Sequence, residues 1–120
     1  MKLAVELRAT EALGPGATVA GTVRVLEGGR SRSLSVALHY VERSPEYTHL
    51  AVTVPGPVLH TGDLAGGESF EFAIPLPADA LPGQSLPHGR LYWAIDVKSD
   101  EPGFDTHAEA EVPTAVPAAV

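Results

Sequence analysis

Cysteine is absent from the 120 residues, which excludes a disulfide scaffold, a thiolate zinc site and a cysteine nucleophile. A chain of this length forms one domain and folds without a disulfide or a metal. Long hydrophobic runs are missing as well. Charges interrupt the first apolar stretch, Met1 to Arg8, so it is not typical of a signal peptide, and no segment approaches the roughly 20 apolar residues of a membrane span. We therefore expect a cytoplasmic protein.

Basic residues are few, with 8 Lys and Arg against 15 Asp and Glu and a net charge of −7. A protein that binds nucleic acid needs a basic stripe, and here only Arg30 and Arg32 lie close together. We predict no nucleic-acid partner and interpret the acidity as a source of solubility. Asparagine is absent, glutamine occurs once, and there are 11 prolines. This composition suits a thermophilic protein, and a GC-rich genome produces the same bias.

A helical period of apolar residues is missing too, because Gly or Pro interrupts every candidate segment longer than about eight residues. Apolar and polar residues instead alternate with period two, which predicts strands with one face against a core. In the last such stretch Leu91, Trp93, Ile95 and Val97 alternate with polar or small residues. We expect Trp93 in the core and Tyr92 on the other face, and the alternative register reverses the two. The alternating stretches are 3–7, 18–25, 33–40, 69–74 and 91–97.

Glycine and proline clusters separate these stretches at the spacing of a sandwich. Gly28-Gly29 predicts a tight hairpin. Two strands are expected between Thr48 and Leu64, divided by Pro55 and Pro57, and the prolines indicate a sheet edge. The whole pattern predicts an all-β, antiparallel, immunoglobulin-like β-sandwich of seven or eight strands. We expect one domain over residues 1–112 and a flexible C-terminal tail at 113–120.

Three stretches, in this order, resemble the arrestin-like family, which includes arrestins, the retromer subunit Vps26 and bacterial sporulation-control proteins of the Spo0M type. They are the turn and strand 14–25 interrupted by Gly21, the segment 67–77 followed by Leu81-Pro82, and the strand 90–97 followed by the acidic turn 100–105. The resemblance implies an arrestin-like sandwich that acts as an adaptor or scaffold without catalysis. Arrestins pair two such domains and sense phosphate with charged residues that have no counterpart here, so no receptor or phosphate role is carried over.

Catalytic and metal-binding patterns are not recognisable in the sequence. The histidines stand ten to nearly thirty residues apart, whereas zinc ligands usually recur at short spacings. There is no G-x-S-x-G elbow and no phosphate-binding glycine loop. Asp96, Asp100 and Asp105 are the nearest candidates for paired carboxylates, and we interpret them as solvated or turn-capping residues. We predict no catalytic residue, no cofactor and no metal site. The histidines are His39, His49, His60, His88 and His107.

A contact surface is predicted where an aromatic residue lies outside the core. Because Tyr92 and Trp93 are adjacent, they point to opposite faces of the sheet. An exposed Tyr92 beside His88 and Arg90 is therefore the candidate partner contact. It favours a protein-interaction module, and the alternative is a small-ligand or carbohydrate-binding accessory module in which aromatic rings stack on sugars.

A homodimer through an open sheet edge is the first partner that we expect, because unprotected edges pair. Two stretches are protected from edge pairing, one by Lys98 with Asp96 and the other by the prolines at 55 and 57. The stretches Lys2–Arg8 and Val19–Val25 have no such protection, so we expect the pairing at one of them.

Overall fold

The computed structural model describes residues 1–9 and 11–114 and consists of eight β-strands. Those residues include no helix, and so none that is long and apolar enough to cross a membrane. The strands form two antiparallel sheets, which confirms the predicted all-β sandwich. The strands are β1 (Lys2–Leu7), β2 (Thr18–Glu27), β3 (Ser33–Arg43), β4 (Thr48–Thr61), β5 (Ser69–Pro75), β6 (Gln84–Leu86), β7 (Gly89–Asp100) and β8 (Thr106–Val112).

The smaller sheet has the strand order β1–β2–β5, and the larger sheet has the order β4–β3–β7. The short β6 and the longer β8 both pair with the remaining side of β7, end to end. Because β2 pairs with β1 on one side and with β5 on the other, it is the central strand of its sheet. The expectation that Val19–Val25 forms an open edge is therefore wrong. Lys2–Leu7 does lie at an edge.

The core lies between the two sheets and is built by the inward members of the alternating stretches. Removing these apolar side chains from water is the main source of stability, at roughly 25 cal/mol for each Å² that is buried. The buried residues come from both sheets and include Val19, Val23, Val25, Leu34, Val36, Leu38, Tyr40, Phe72, Ile74, Trp93, Ile95 and Val97.

Trp93 is buried in this core, as predicted, on the same face as Ile95 and Val97, with the partly buried Leu91 packed against them. Its ring centroid lies 4.9 Å from that of Tyr40 in a tilted arrangement. Its indole N–H donates a hydrogen bond to the carbonyl oxygen of Leu81 at 2.7 Å. The polar atom of the largest core side chain is thus satisfied, and the first of the two registers for β7 is the observed one.

The chain passes from the smaller sheet to the larger one at Gly28-Gly29, so the predicted hairpin at this position is wrong. Gly29 exchanges backbone hydrogen bonds of 2.9 and 3.0 Å with Leu64, which lies in the loop between β4 and β5. A Cβ atom on Gly28 would collide with the Leu64 carbonyl oxygen. Gly28 is needed for this close approach of two loops and not for a turn within one sheet.

Residues 48–61 form one long edge strand, where two strands separated by prolines were expected. Irregularities in the pairing between β3 and β4 accommodate Pro55 and Pro57 without ending the strand. The prediction that these prolines mark a sheet edge is confirmed, since β4 pairs only with β3.

The last strand ends at Val112, and the next two residues contact the rest of the domain. The carbonyl oxygen of Pro113 accepts a hydrogen bond from the Leu13 N–H at 2.8 Å. The Thr114 hydroxyl accepts one from the Gly83 N–H at 3.2 Å. Residues 115–120 of the predicted tail lie outside the described residues, and the tail stays a prediction.

We expect Trp93→Ala to lower the free energy of unfolding by about 3–5 kcal/mol, because it leaves a large cavity and removes the hydrogen bond to Leu81. Denaturant unfolding followed by far-UV circular dichroism measures the change. Val58→Ala, at an exposed position on β4, is the control and should stay within about 0.5 kcal/mol of the wild type. The emission of Trp93 in the folded protein should be blue-shifted, and emission near that of free indole would contradict its burial.

Other groups approach the backbone closely at Gly21 on β2, so its replacement should be costly. A Cβ atom there would collide with the Glu6 carbonyl oxygen and stand 2.8 Å from the Phe72 ring. We expect Gly21→Ala to destabilise the fold by more than about 1 kcal/mol, as overpacking does. Gly14→Ala is the matched control, because no atom of residues 1–9 and 11–114 lies within 4 Å of a Cβ atom at that position. Equal melting temperatures for the two variants would contradict the role of Gly21.

Candidate functional site

The outer face of the larger sheet carries the predicted contact residues. Its alternation places Val41 of β3 and Tyr92 and Ala94 of β7 away from the main core, and the three form a second, smaller buried cluster. The guanidinium carbon of Arg90 lies 4.1 Å from the centroid of the Tyr92 ring, and that of Arg43 lies 5.7 Å from it. The two guanidinium groups lie over the aromatic ring in cation–π contact.

The expectation of an exposed Tyr92 is wrong, since only 7% of its surface is accessible. Arg90 lies over the ring and forms an ion pair with Glu111 of β8, which fixes its side chain across the sheet. The predicted residues His88 and Arg90 are near neighbours at the start of β7, so the structure brings the predicted set together. Tyr92 forms the floor of this region, below Arg90.

Two loops meet at this end of the sandwich, one between β3 and β4 and one between β6 and β7. Between them lies an open depression with a volume of about 370 Å³. Tyr47 and Leu86 lie at its rim, with 53% and 41% of their surfaces exposed. We call this region the loop-end surface, and its residues include Glu42, Arg43, Glu46, Tyr47, Leu86, Pro87, His88 and Arg90.

Local hydrogen bonds hold Tyr47 in place. The Ser44 hydroxyl oxygen accepts hydrogen bonds from the N–H groups of Glu46 and Tyr47 at 3.3 and 3.2 Å, which closes the turn after β3. The phenol of Tyr47 donates to the carboxylate of Glu42 at 2.5 Å. That hydrogen bond, together with the charge of Glu42, raises the pKa of Tyr47 above 10.0.

The sequence analysis missed Tyr47 and Leu86 as members of the surface. Ser44-Pro45-Glu46 is a turn signal, so a tyrosine directly after it could have been placed at a loop tip. Its nearness to Leu86 and His88 depends on the pairing of β3 with β7 in the register Arg43 to Arg90. That register cannot be predicted from a local sequence pattern, because it depends on how two distant strands pair.

A row of polar side chains crosses the outer face of the same sheet, further along its strands. Thr53 of β4 hydrogen-bonds to His39 Nδ1 of β3 at 3.0 Å. His107 Nδ1 of β8 lies 3.1 and 3.2 Å from the two carboxylate oxygens of Asp96 of β7. His39 Nε2 is 3.9 Å from Asp96, a distance for ionic attraction and not for a hydrogen bond. The row therefore links four strands by polar contacts.

The order hydroxyl, imidazole and carboxylate in this row has the composition of a catalytic triad, but its geometry does not suit catalysis. The His39–Asp96 distance is too long to orient the ring. β3 and β7 are also paired on both sides, so their amides are engaged in the sheet and offer no oxyanion hole. Among residues 1–9 and 11–114 no group of three or more His, Asp or Glu side chains is arranged to hold a metal ion.

An apolar groove beside Trp93 is closed by the proline-rich loop between β5 and β6. The Tyr40 hydroxyl donates a hydrogen bond to the Pro82 carbonyl oxygen at 2.8 Å, next to the Trp93 bond to Leu81. Burial raises the pKa of Tyr40 above 10.0. Two core aromatics thus hold adjacent residues of one loop in place. We interpret the groove as part of the packing of this loop against the core.

Comparison with known proteins gives distant structural likenesses and no sequence match. No protein-family model matches the chain, and no curated protein sequence is similar to it. The crystal structure of Spo0M, a sporulation control protein from Bacillus subtilis, is similar to the chain, with 21% sequence identity and a TM-score of 0.46. The match covers 98% of this chain and 49% of that one. This chain thus spans about half the length of Spo0M, and no role of that protein is assigned to it.

The raised pKa of Tyr40 predicts a loss of stability in alkali. The folded state binds the phenolic proton more tightly than the unfolded state, so this contribution is complete below the unfolded pKa of 10.0 and is lost as the pH rises through the folded value. Tyr40→Phe removes both the hydrogen bond and the titration. We expect the wild type to be more stable by about 0.5–1.5 kcal/mol at neutral pH, and this difference to shrink above about pH 10. Urea unfolding at several pH values measures it, and a constant difference would contradict the assignment.

Proposed function

We propose that the protein is a non-catalytic interaction module that binds another protein through the loop-end surface. The observation that carries the proposal is the exposure of Tyr47 and Leu86 beside Arg43 and His88, around one open depression. Tyrosine and arginine are enriched at the energetic centres of protein interfaces. Of the predicted residues, His88 and Arg90 belong to the proposed contact, while Tyr92 lies buried beneath Arg90 and supports it.

Several features of the surface suit a protein partner. Exposed apolar side chains stand beside Arg43, Glu42 and Glu46, so charges of both signs border the depression. A partner segment that combines an apolar side chain with charges of both signs would meet these features. The bonds from Ser44 fix the turn that carries Tyr47, so little conformational freedom is lost when this side chain is covered.

The alternative of a carbohydrate-binding accessory module has no comparable support. Sugar binding requires two or three exposed aromatic rings in one plane. Arg90 covers Tyr92, and the two well-exposed aromatics, Tyr47 and Phe104, lie at opposite ends of the sandwich. The geometry of the polar row at His39 and Asp96 likewise gives no support to a hydrolase.

A cytoplasmic location and a homodimer through a sheet edge are further parts of the proposal.

The test compares capture from a lysate of the source cells by three immobilised baits. They are the wild type, the variant Tyr47→Ala with Leu86→Ala, and a control, Leu26→Ala with Phe104→Ala, that truncates two exposed apolar residues elsewhere. We expect a defined protein to be retained by the wild type and the control. The loop-end variant should bind it at least about 30-fold more weakly, the effect of losing about 2 kcal/mol at the centre of an interface.

Two results would contradict the proposal. Equal retention of the same protein by all three baits would remove the loop-end surface as the binding site. Robust turnover of a small substrate by the pure protein would remove the non-catalytic assignment. Melting temperatures close to that of the wild type would show that the variants remain folded, as expected for substitutions of exposed residues.

A further inference from the structure

Two arginines lie directly opposite one another on the outer face of the larger sheet. Arg43 is the last residue of β3 and pairs with Arg90 of β7 in the antiparallel register. Side chains at directly opposite positions are close neighbours on one face of a sheet, and like charges in such a pair are destabilising. A sequence that departs from a local rule in this way does so most often at a functional site.

The two arginines differ in how their charges are neutralised. Arg90 forms an ion pair with Glu111 of β8. Arg43 is exposed and, among the described residues, takes part in no ion pair. The guanidinium group of Arg43 is therefore the member of the pair that can bind a carboxylate from outside the chain.

The two glutamates near Arg43 in the sequence are directed at other groups. Glu42 accepts a hydrogen bond from the Tyr47 phenol, and, as the residue before Arg43 on β3, it lies on the opposite face of the sheet. The carboxylate of Glu46 accepts a hydrogen bond from the Ser44 hydroxyl at 3.3 Å. Both glutamates border the depression, but neither is bonded to Arg43, so positive and negative charges are separate contact points of the loop-end surface.

The ring of Tyr92 supports the two guanidinium groups. It is buried, and its centroid lies 5.7 Å from the guanidinium carbon of Arg43 and 4.1 Å from that of Arg90. Cation–π attraction favours this placement of both groups. An arginine that is already positioned loses less freedom on binding, and its planar guanidinium matches the two oxygens of a carboxylate.

We infer that Arg43 binds a side-chain carboxylate of the partner, so that the loop-end surface recognises a segment in which an Asp or Glu lies next to an apolar residue. Arg43 lines the same depression as Tyr47 and Leu86, which the apolar residue would cover. The carboxylate would offset the repulsion between Arg43 and Arg90. The inference rests on the proposed function, because it takes the loop-end surface as the binding site, and it adds the chemical group that is recognised.

Peptide display tests the inference with a defined probe. A library of random peptides is selected on the immobilised wild-type protein, and the enriched peptides are synthesised with amidated C-termini, so that only side chains supply carboxylates. We expect the enriched sequences to contain an Asp or Glu next to an apolar residue. Replacing that acid by Asn or Gln should raise the dissociation constant about tenfold or more, as the loss of a hydrogen bond to a charged group does.

Variants of Arg43 show whether the acid binds at the expected place. Arg43→Gln should weaken binding of the acidic peptides about tenfold or more and leave binding of their Asn or Gln forms unchanged, which is the signature of a direct contact in a double-mutant cycle. Arg43→Lys should restore only part of the affinity, because an ammonium group lacks the guanidinium fork. The control Arg24→Gln removes the same charge from an exposed position on β2 and should bind as the wild type does.

The possible failures separate this inference from the proposed function. Peptides that require Tyr47 and Leu86 but carry no acid, or whose acid is insensitive to Arg43→Gln, would overturn the inference and leave the loop-end surface in place. Acidic peptides that bind the variant Tyr47→Ala with Leu86→Ala as tightly as the wild type would contradict the loop-end surface itself. Melting temperatures close to that of the wild type would show that the variants of these exposed residues remain folded.

Discussion

Strand β7 is the element on which the rest of the structure depends. It pairs with β3, β6 and β8, and it contributes to two buried clusters on its two faces. Trp93 and its inward neighbours join the two sheets, while Tyr92 and Ala94 form the base of the outer cluster. The indole of Trp93 also holds the β5–β6 loop through Leu81. A one-residue slip of this strand would exchange the two clusters, and so the fold and the candidate site depend on the same register.

The features that the sequence predicted correctly are local. The alternation along 91–97 is enough to place Trp93 inside, because a large apolar ring is far more stable in the core than in water. The prolines of β4 were interpreted correctly as a sign of a sheet edge for a similar reason, since a proline has no N–H to donate to a second neighbouring strand. The sheet to which a strand belongs is not a local property. Residues 18–25 and 33–40 show the same pattern whether they form a hairpin or a crossover, and the pairing of Gly29 with Leu64 decides between them.

The candidate site was predicted in part for the same physical reason. That Tyr92 would lie outside the main core followed from its position next to Trp93. Its burial did not follow, because the cover comes from Arg43 on β3 and from Arg90, which Glu111 on β8 holds in place. The loop-end surface likewise combines side chains more than forty positions apart, such as Tyr47 and His88. Their proximity is a consequence of the β3–β7 register, which only the assembled sheet defines.

The distribution of charge bears on contact at the loop end. A net charge of −7 opposes association of the protein with itself and with other acidic molecules. Around the loop-end depression Arg43 stands beside Glu42 and Glu46, so charges of both signs surround the exposed Tyr47 and Leu86. Because Arg43 and Arg90 offset part of the acidic charge there, an acidic partner is repelled less at the loop end than by the surface as a whole.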